Sequence, residues 1–413
     1  MAGPAFQQED PTRPATAEEV RSVVAWAVGE ERPLEIVGSG AKRAIGPPVT
    51  ARHVVELSRL SGITLYEPEE LVLSALAGTP LAEIEATLAD AGQELAFEPI
   101  DYGPLLGAAA GGGTLGGLVA TNLSGPRRIK AGAARDHVLG VEAVSGRGEA
   151  FKSGGRVVKN VTGYDLGRGL SGSWGTLAVF TALSLKVLSR SETGATLVLP
   201  GLDDARAIRA LAAALGSSAD VSGAAHLPAG LAQQIAPLAG ADGSLTLVRV
   251  EGFAPSVKAR IEALSALLKD VAPVEVIEGD ASVAIWRAVR DVRPFWTTPE
   301  QAVWRVSVTP SEGPAVVSAV AGGGDIRAFY DWGGGLIWIE HPSEGDAGAS
   351  TIRQAIAANG GGHATLIRAP VALRSDVLVF QPEADGLQAL TRRIKAQFDP
   401  TGILNPGRMG AGR

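Results

Sequence analysis

The sequence predicts an α+β protein of more than one domain, and three observations predict it. First, 413 residues exceed what one ordinary core organises, so two or three domains are expected. Second, three glycine-rich loops lie beside strand-like sequence: Gly38-Ser39-Gly40-Ala41-Lys42, the run Gly107 to Gly125, and Gly172-Ser173-Trp174-Gly175-Thr176. Loops of that kind strip side chains from the backbone and let it lie against a phosphate-bearing ligand. Third, composition changes near Ser189. From about Leu197 to Gln381, strand-like pieces alternate with Ala-rich helical pieces, as in a separate α+β domain. The expected division is a lead over 1–16, a ligand-binding domain over 17–190, a second α+β domain over 191–385, and a C-terminal helix and tail over 386–413.

Met1 to Thr16 carries acids, Gln and prolines and is read as disordered. It lacks the basic-then-apolar layout of a signal peptide. Thr16 caps a helix that runs to Gly29, with Glu18 and Glu19 in its first turn. Pro33 to Gly38 is a strand entering the first glycine loop, and Pro47-Pro48 forbids a helix after that loop. His53–Leu57, Ile63–Glu67 and Leu71–Ala75 read as strands, the last two joined by a turn at Pro68. Pro80 opens a helix over Leu81–Ala91, closed by Gly92. A short helix begins at Thr114 and ends by Asn122, because Ser124-Gly125-Pro126 breaks it. His137–Val144 and Glu149–Phe151 flank the Gly146-Arg147-Gly148 turn of a hairpin. Ala178–Leu188 is a long buried strand, and Leu387–Phe398 an amphipathic helix before the turn-rich stretch Asp399–Arg408. No repeat of fixed period is present.

The formal net charge is −7 and no basic block occurs, which argues against nucleic-acid binding. There is no cysteine, which excludes disulfides and any thiolate-bound zinc or iron–sulfur centre within this chain. The uncharged run Pro104–Gly125 reaches membrane-spanning length, but its Gly, Ala, Thr and Asn content is too polar for a bilayer span. A cytoplasmic protein with no transmembrane segment and no bound metal is expected.

The glycine loops decide the ligand class. Gly111-Gly112-Gly113-Thr114-Leu115-Gly116 fits the dinucleotide pattern G-x-G-x-x-G, with Asp136 where that fold places its ribose-binding acid. The context is wrong: Ala and Gly, not a β-branched strand, precede it. No G-K-[ST] occurs, so a P-loop is excluded. Any one loop is explained by a tight turn alone. Three together, each with or beside Thr or Ser, point to one large anionic cofactor held along its length. A pyrophosphate is met by backbone amides in a nest and by the helix start at Thr114.

Gly113 to Asn122, then Gly132 and Arg135-Asp136, resemble the second FAD-binding segment of the vanillyl-alcohol-oxidase-like (PCMH-type) flavoproteins. Lys159–Leu166, Gly172–Val179 and Phe398–Arg408 are similar to the further signatures of that family, in the same order. The resemblance covers roughly residues 17 to 190 and the last 25. Length and the block Lys159–Leu166 look most like the FAD-binding subunits of glycolate oxidases. The resemblance implies a two-part PCMH-type FAD-binding domain, an α+β cap domain, and a C-terminal tail that returns to the FAD domain. It also implies residue roles. Gly38, Ser39, Gly40, Ala41 and Lys42 would wrap the pyrophosphate from one side. Gly113, Thr114, Gly116, Gly117, Thr121 and Asn122 would line the other side and the flavin edge. Arg135 and Asp136 would support the loop, and Gly172, Ser173 and Val179 would hold the adenosine end. Relatives often carry Thr or Ser where Ala41 stands, one hydrogen bond fewer here. The stretch Gly38–Gly46 holds neither His nor Cys, so FAD is expected to be noncovalent.

Oxidising a 2-hydroxy acid with a flavin needs a cation for the carboxylate and a base for the hydroxyl proton. Of five histidines, His363 is the best base candidate, between a glycine run and a strand. Arg368 lies five residues on, which strand alternation puts on the opposite face. Arg287, Arg290 and Arg293, near Trp286 and Trp296, are read as solvated charge, with a carboxylate site or a subunit contact as the alternative. The His-rich cluster of the larger relatives is missing. The expected function is therefore the FAD-binding subunit of a glycolate oxidase complex that makes glyoxylate. Its expected partners are a larger FAD-linked oxidase subunit and an iron–sulfur subunit, through which it would sit peripherally at the inner membrane. A free-standing FAD-dependent 2-hydroxy-acid dehydrogenase and a non-catalytic FAD-holding scaffold are the alternatives.

Overall fold

Packing of two α+β halves against each other places the site, so each half is built up in turn. The computed structural model describes residues 10–157 and 163–410. Lys159 to Thr162 of the Lys159–Leu166 block lie outside the described residues, as do the first nine residues of the lead.

Helix α1 (Ala17–Gly29) starts at Thr16, whose hydroxyl accepts from Glu19 N at 3.1 Å. It buries Val20, Val24 and Ala27, one face of the helix. Strand β1 (Leu34–Val37) runs parallel to β2 (His53–Glu56). The lead read as disordered is in place where it is described. Thr12 N donates to Val54 O at 2.8 Å and Thr12 O accepts from Glu56 N at 2.9 Å. The free edge of β2 supplies those partners, a long-range pairing that leaves no periodic mark on the lead itself.

Strands β3 (Ile63–Glu67) and β4 (Val72–Leu76) lead to α2 (Leu81–Asp90) and the short β5 (Gln93–Glu94). Then come α3 (Leu115–Thr121), α4 (Arg128–Ala131), β6 (Val138–Ser145), β7 (Ala150–Gly154), α5 (Leu166–Leu170), β8 (Ala178–Lys186) and β9 (Leu188–Ser189). The five-stranded antiparallel sheet has the order β3-β4-β8-β6-β7, with β8 at its centre. That position explains the apolar run of β8: Val179, Phe180, Leu183 and Leu185 are all buried.

The second half comprises β10 (Thr193–Pro200), α6 (Asp204–Leu215), β11 (Gly223–Leu227), β12 (Leu245–Gly252), α7 (Ala254–Leu268), β13 (Glu275–Glu278) and α8 (Gly279–Arg290). It continues through β14 (Ala302–Val308), α9 (Gly313–Ala321), β15 (Arg327–Asp331), β16 (Leu336–His341), α10 (Ala349–Ala358) and β17 (Gly362–Arg368). Its eight strands form one sheet, ordered β13-β10-β12-β11-β15-β16-β14-β17. Strand alternation gives the sheet two faces. Leu197, Val248, Trp304, Ile337 and Leu366 point into a core covered by helices, including α6, α9 and α10. Val198, Leu247, Val303, Trp338 and Ile367 point the other way and meet Ile45, Tyr102, Leu105 and Leu123 of the first half.

Charge also crosses this seam. Arg249 donates two bonds to Glu98, at 2.8 and 3.0 Å, and Arg127 binds Glu251 and Glu94. After α11 (Val371–Asp376) and α12 (Asp385–Phe398), the tail returns to the first half. Leu34 N donates to Ile403 O at 2.8 Å and Asn405 N to Leu34 O at 3.0 Å, so the tail lies along β1. Ile403 and Leu404 are buried in that core.

Candidate FAD site and the face opposite it

The first glycine loop leaves β1 and touches the second. Ser39 Oγ donates to the Gly112 carbonyl. A Cβ on Gly38 would stand 2.2 Å from Thr114 Oγ1, so only glycine allows this approach. Thr114 caps α3, its Oγ1 accepting from Gly117 N at 3.3 Å, and Thr121 Oγ1 donates to Gly117 O at 2.8 Å. The third loop lies on the far side of α3: Gly172 N donates to Val119 O at 3.1 Å and Trp174 N to Ala120 O at 2.9 Å. Between them runs a groove with about 740 Å³ of empty space, open to solvent. Gly38, Ser39, Gly40, Ala41, Lys42, Gly113, Thr114, Gly116, Gly117, Thr121 and Val179 all line it.

The other predicted residues stand behind the lining. Asn122 accepts from Arg135 N at 3.0 Å. Asp136 accepts from Ala133 N at 2.9 Å, bracing the turn, while the Arg135 side chain is exposed. Gly172 faces Asn122, and the Ser173 hydroxyl is buried with no hydrogen-bonded partner.

Lys42 sets the electrostatics of the groove. Burial pulls its ammonium down to about 8, against the opposing charge of Asp101. Asp101 itself accepts from Gly103 N at 3.0 Å and Gly111 N at 2.7 Å. Among the described residues the Lys42 side chain makes no hydrogen bond or ion pair. A desolvated cation among bare amides is suited to a pyrophosphate, which it would neutralise. With the unpartnered Ser173 hydroxyl, this chemistry fits FAD, and no His or Cys lines the groove as an attachment point.

Gly116 needs a different account from the one its motif suggests. A Cβ there would meet Ala77, with Cβ at 2.9 Å and O at 3.0 Å. Its bareness lets α3 close on the end of β4, where Gly116 N donates to Ala77 O at 2.7 Å. It serves packing first and the groove second.

Several lining residues escaped the residue-by-residue reading. Asn405 joins three segments: it accepts from Ile36 N at 2.7 Å and donates to Trp174 O at 2.8 Å. Arg408 donates to Ile45 O at 2.6 Å, and both residues line the groove. They sit inside the C-terminal signature, which was the available signal. Arg305 is the larger omission. It stands in the middle of β14, and an arginine at the centre of the apolar run Ala302–Val308 is the mark that gives it away.

The structure separates His363 from Arg368. His363 opens β17 opposite Ser307, and Arg305 lies opposite Thr365, so His363, Thr365, Ser307 and Arg305 share one face. His363 is exposed, but partial desolvation and the charges of Arg305 and Arg128 lower its pKa, which favours the neutral imidazole. Arg368 spends its donors on the carbonyls of Gln301, Phe295, Thr298 and Leu105 and pairs with Glu340. It is a structural clamp. Of the other arginines considered, Arg290 pairs with Asp291 at 2.7 Å and Arg293 lies over Trp296. Arg287 is exposed, and Trp286 is buried, its Nε1 donating to Thr196 Oγ1 at 2.9 Å. Burial takes Trp286 out of any exposed Trp–Arg patch, while the exposed Arg293 still covers the half-buried Trp296.

Comparison with known proteins agrees with this geometry. In its fold the chain is similar to p-cresol methylhydroxylase, with a TM-score of 0.75 at 15% identity, covering 97% of this chain and 88% of that one. That likeness defines a PCMH-type α+β flavoprotein fold. A family described as "FAD binding domain" matches residues 12–154, and one described as "FAD linked oxidases, C-terminal domain" matches residues 381–409. Glycolate oxidase subunit GlcE of Escherichia coli (strain K12) is 36% identical over 93% of this chain and 95% of its own length. Glycolate oxidase subunit GlcD of Bacillus subtilis (strain 168) is 26% identical over 72% of this chain and 68% of its own. The chain belongs to the FAD-linked oxidoreductase family that includes glycolate oxidase subunit GlcE.

Proposed function

We propose that this chain is the FAD-binding subunit of a complex that oxidises a small 2-hydroxy acid, glycolate to glyoxylate, and passes the electrons to partner subunits. The observation that carries the proposal is that three glycine loops and the unpaired Lys42 line one groove, in a chain alike to a glycolate oxidase subunit over nearly its whole length. FAD, when bound, supplies a two-electron acceptor for the α-hydrogen of the acid. Lys42 and the loop amides would hold the pyrophosphate, and Val179 the adenosine end, with Ser173 behind the lining. His363, kept neutral, takes the hydroxyl proton. With no cysteine in the chain, an iron–sulfur relay belongs to a partner, beside a larger FAD-linked subunit. No described helix is long and apolar enough to cross a membrane, and we place the chain in the cytoplasm, reaching the inner membrane through its partners.

Anaerobic mixing with glycolate, read by flavin absorbance, tests this. The isolated chain is expected to bleach slowly, since the His363 side chain has no hydrogen-bonded partner among the described residues, and the assembled complex fast. A base contributes roughly 10²- to 10⁴-fold in rate. A complex that leaves glycolate unoxidised contradicts the proposal. Rapid bleaching by the chain alone would instead make it a free-standing dehydrogenase, with His363→Ala as the next variant.

A further inference from the structure

Arg305 differs from the other buried arginines of the cap sheet. Arg249 is neutralised by Glu98, and Arg368 by Glu340 and backbone carbonyls. Arg305 is 9% exposed, and its side chain makes no hydrogen bond or ion pair among the described residues. Its Nε is sealed from solvent without a partner. Its guanidinium lies 5.0 Å from the centre of the Trp332 ring, and Arg128 of the first half reaches the same ring at 4.8 Å. A guanidinium that gives up water and gains no anion is strongly unfavourable, and folded proteins keep such groups where a ligand completes them.

An independent observation comes from the other half of the molecule. Tyr102 is 1% exposed, and its hydroxyl is buried with no partner. Buried tyrosine hydroxyls usually find one. Arg305 stands directly across the β14–β16 ladder from Trp338, and the Trp338 ring meets Tyr102, so the two orphaned donors flank one ring from opposite sides of the seam. Asp331 makes no ion pair with Arg305 among the described residues, though its charge still favours the guanidinium. Its carboxyl accepts from Trp332 N at 2.7 Å, and burial pushes it up to about 7. Aromatic rings close the region: Trp338 stands edge-on to Tyr102 at 5.9 Å, with Phe329 stacked behind it.

We propose that Arg305 and Tyr102 form a carboxylate subsite at the seam between the two halves, which takes a short-chain monocarboxylic acid with its α-hydroxyl toward His363. One guanidinium and one phenol match the two oxygens of a single carboxylate. The subsite deepens the reading of this chain as a 2-hydroxy-acid oxidoreductase and rests on it for the direction of the hydroxyl.

Its test needs no turnover. Oxamate, a monocarboxylate that this chemistry cannot oxidise, is titrated calorimetrically into the purified chain, and flavin content is measured on the same samples. Wild type is expected to bind, Arg305→Met to lose about 100-fold or more, Arg305→Lys to recover part, and Tyr102→Phe to lose about 5- to 10-fold. Without ligand, Arg305→Met should melt no lower than wild type, because it removes an unpaired buried charge. A merely structural arginine would give the opposite melting result. Binding that survives Arg305→Met, or no binding to wild type, overturns the subsite. Arg305-dependent binding by a chain carrying no flavin leaves the subsite standing and overturns the cofactor reading instead.

Discussion

Two regions of this molecule bury cations and treat them in opposite ways. Along one side of the seam, Arg127 and Arg249 sit among Glu94, Glu98 and Glu251, and each guanidinium has its carboxylates. In the glycine groove and on the cap face, Lys42 and Arg305 have no such partner. The first set holds the two halves together. The second is arranged for anions that the chain does not itself supply. Burial of a charge is thus no guide to its role until its partners are counted.

The comparison breaks most visibly at Glu98. Replacing it by Ala leaves Arg249 and part of Arg127 uncompensated at the seam, and stability should fall by about 3–5 kcal/mol. Urea unfolding measures this, and the affinity of the folded variant for FAD should stay within about twofold. Acid should reveal the same network. The two arginines hold the Glu98 carboxyl down to about 2 despite its burial, and Glu251 is lowered too, while burial raises Glu94. A depressed carboxyl stabilises the fold above its ordinary pKa, so that stability should be lost as pH falls from about 4.5 towards 2. The melting temperature of wild type should drop through that window, and that of Glu98→Ala should drop less. Equal slopes would show that the seam network does not carry the acid sensitivity.

Lys42→Met sharpens the other side. A charge-assisted bond is worth about 1.5–3 kcal/mol, so FAD affinity should weaken roughly 10- to 100-fold. The ligand-free variant should be at least as stable as wild type. The sign of the pH effect follows from the ammonium, which burial pulls down to about 8 in the ligand-free chain. Above that pH the lysine must regain a proton to meet the pyrophosphate, so FAD affinity should fall as pH rises past 8, and the fall should vanish in Lys42→Met. Fluorescence titration at several pH values reads both. An unchanged affinity in the variant would place the pyrophosphate elsewhere.

What the sequence revealed follows the same division. Loops that hold their chemistry in a few consecutive residues were legible: Gly38–Lys42 and Gly113–Thr121 line one groove, as their composition suggests. The helix at Thr16 and the strand Ala178–Lys186 were legible because cap and apolar run are local signals. Thr12 on β2 was not, since its partners lie over forty residues away. The Arg305 region was not, because Tyr102, Arg128, Arg305, Trp332 and His363 come from five separate stretches that only sheet order and the seam bring together. Gly116 shows the limit inside a motif: the glycine was expected against the cofactor, and its Cβ direction points at Ala77.

The account depends most on a noncovalent FAD in the groove around Lys42. The direct measurement is acid precipitation of the purified chain, with flavin read in the supernatant and the pellet. The account predicts a yellow protein that releases intact FAD in stoichiometric amount and leaves a colourless pellet. Colour that stays with the pellet would contradict noncovalent binding, and a purified chain with no flavin, which does not take up added FAD, would contradict the assignment of the groove.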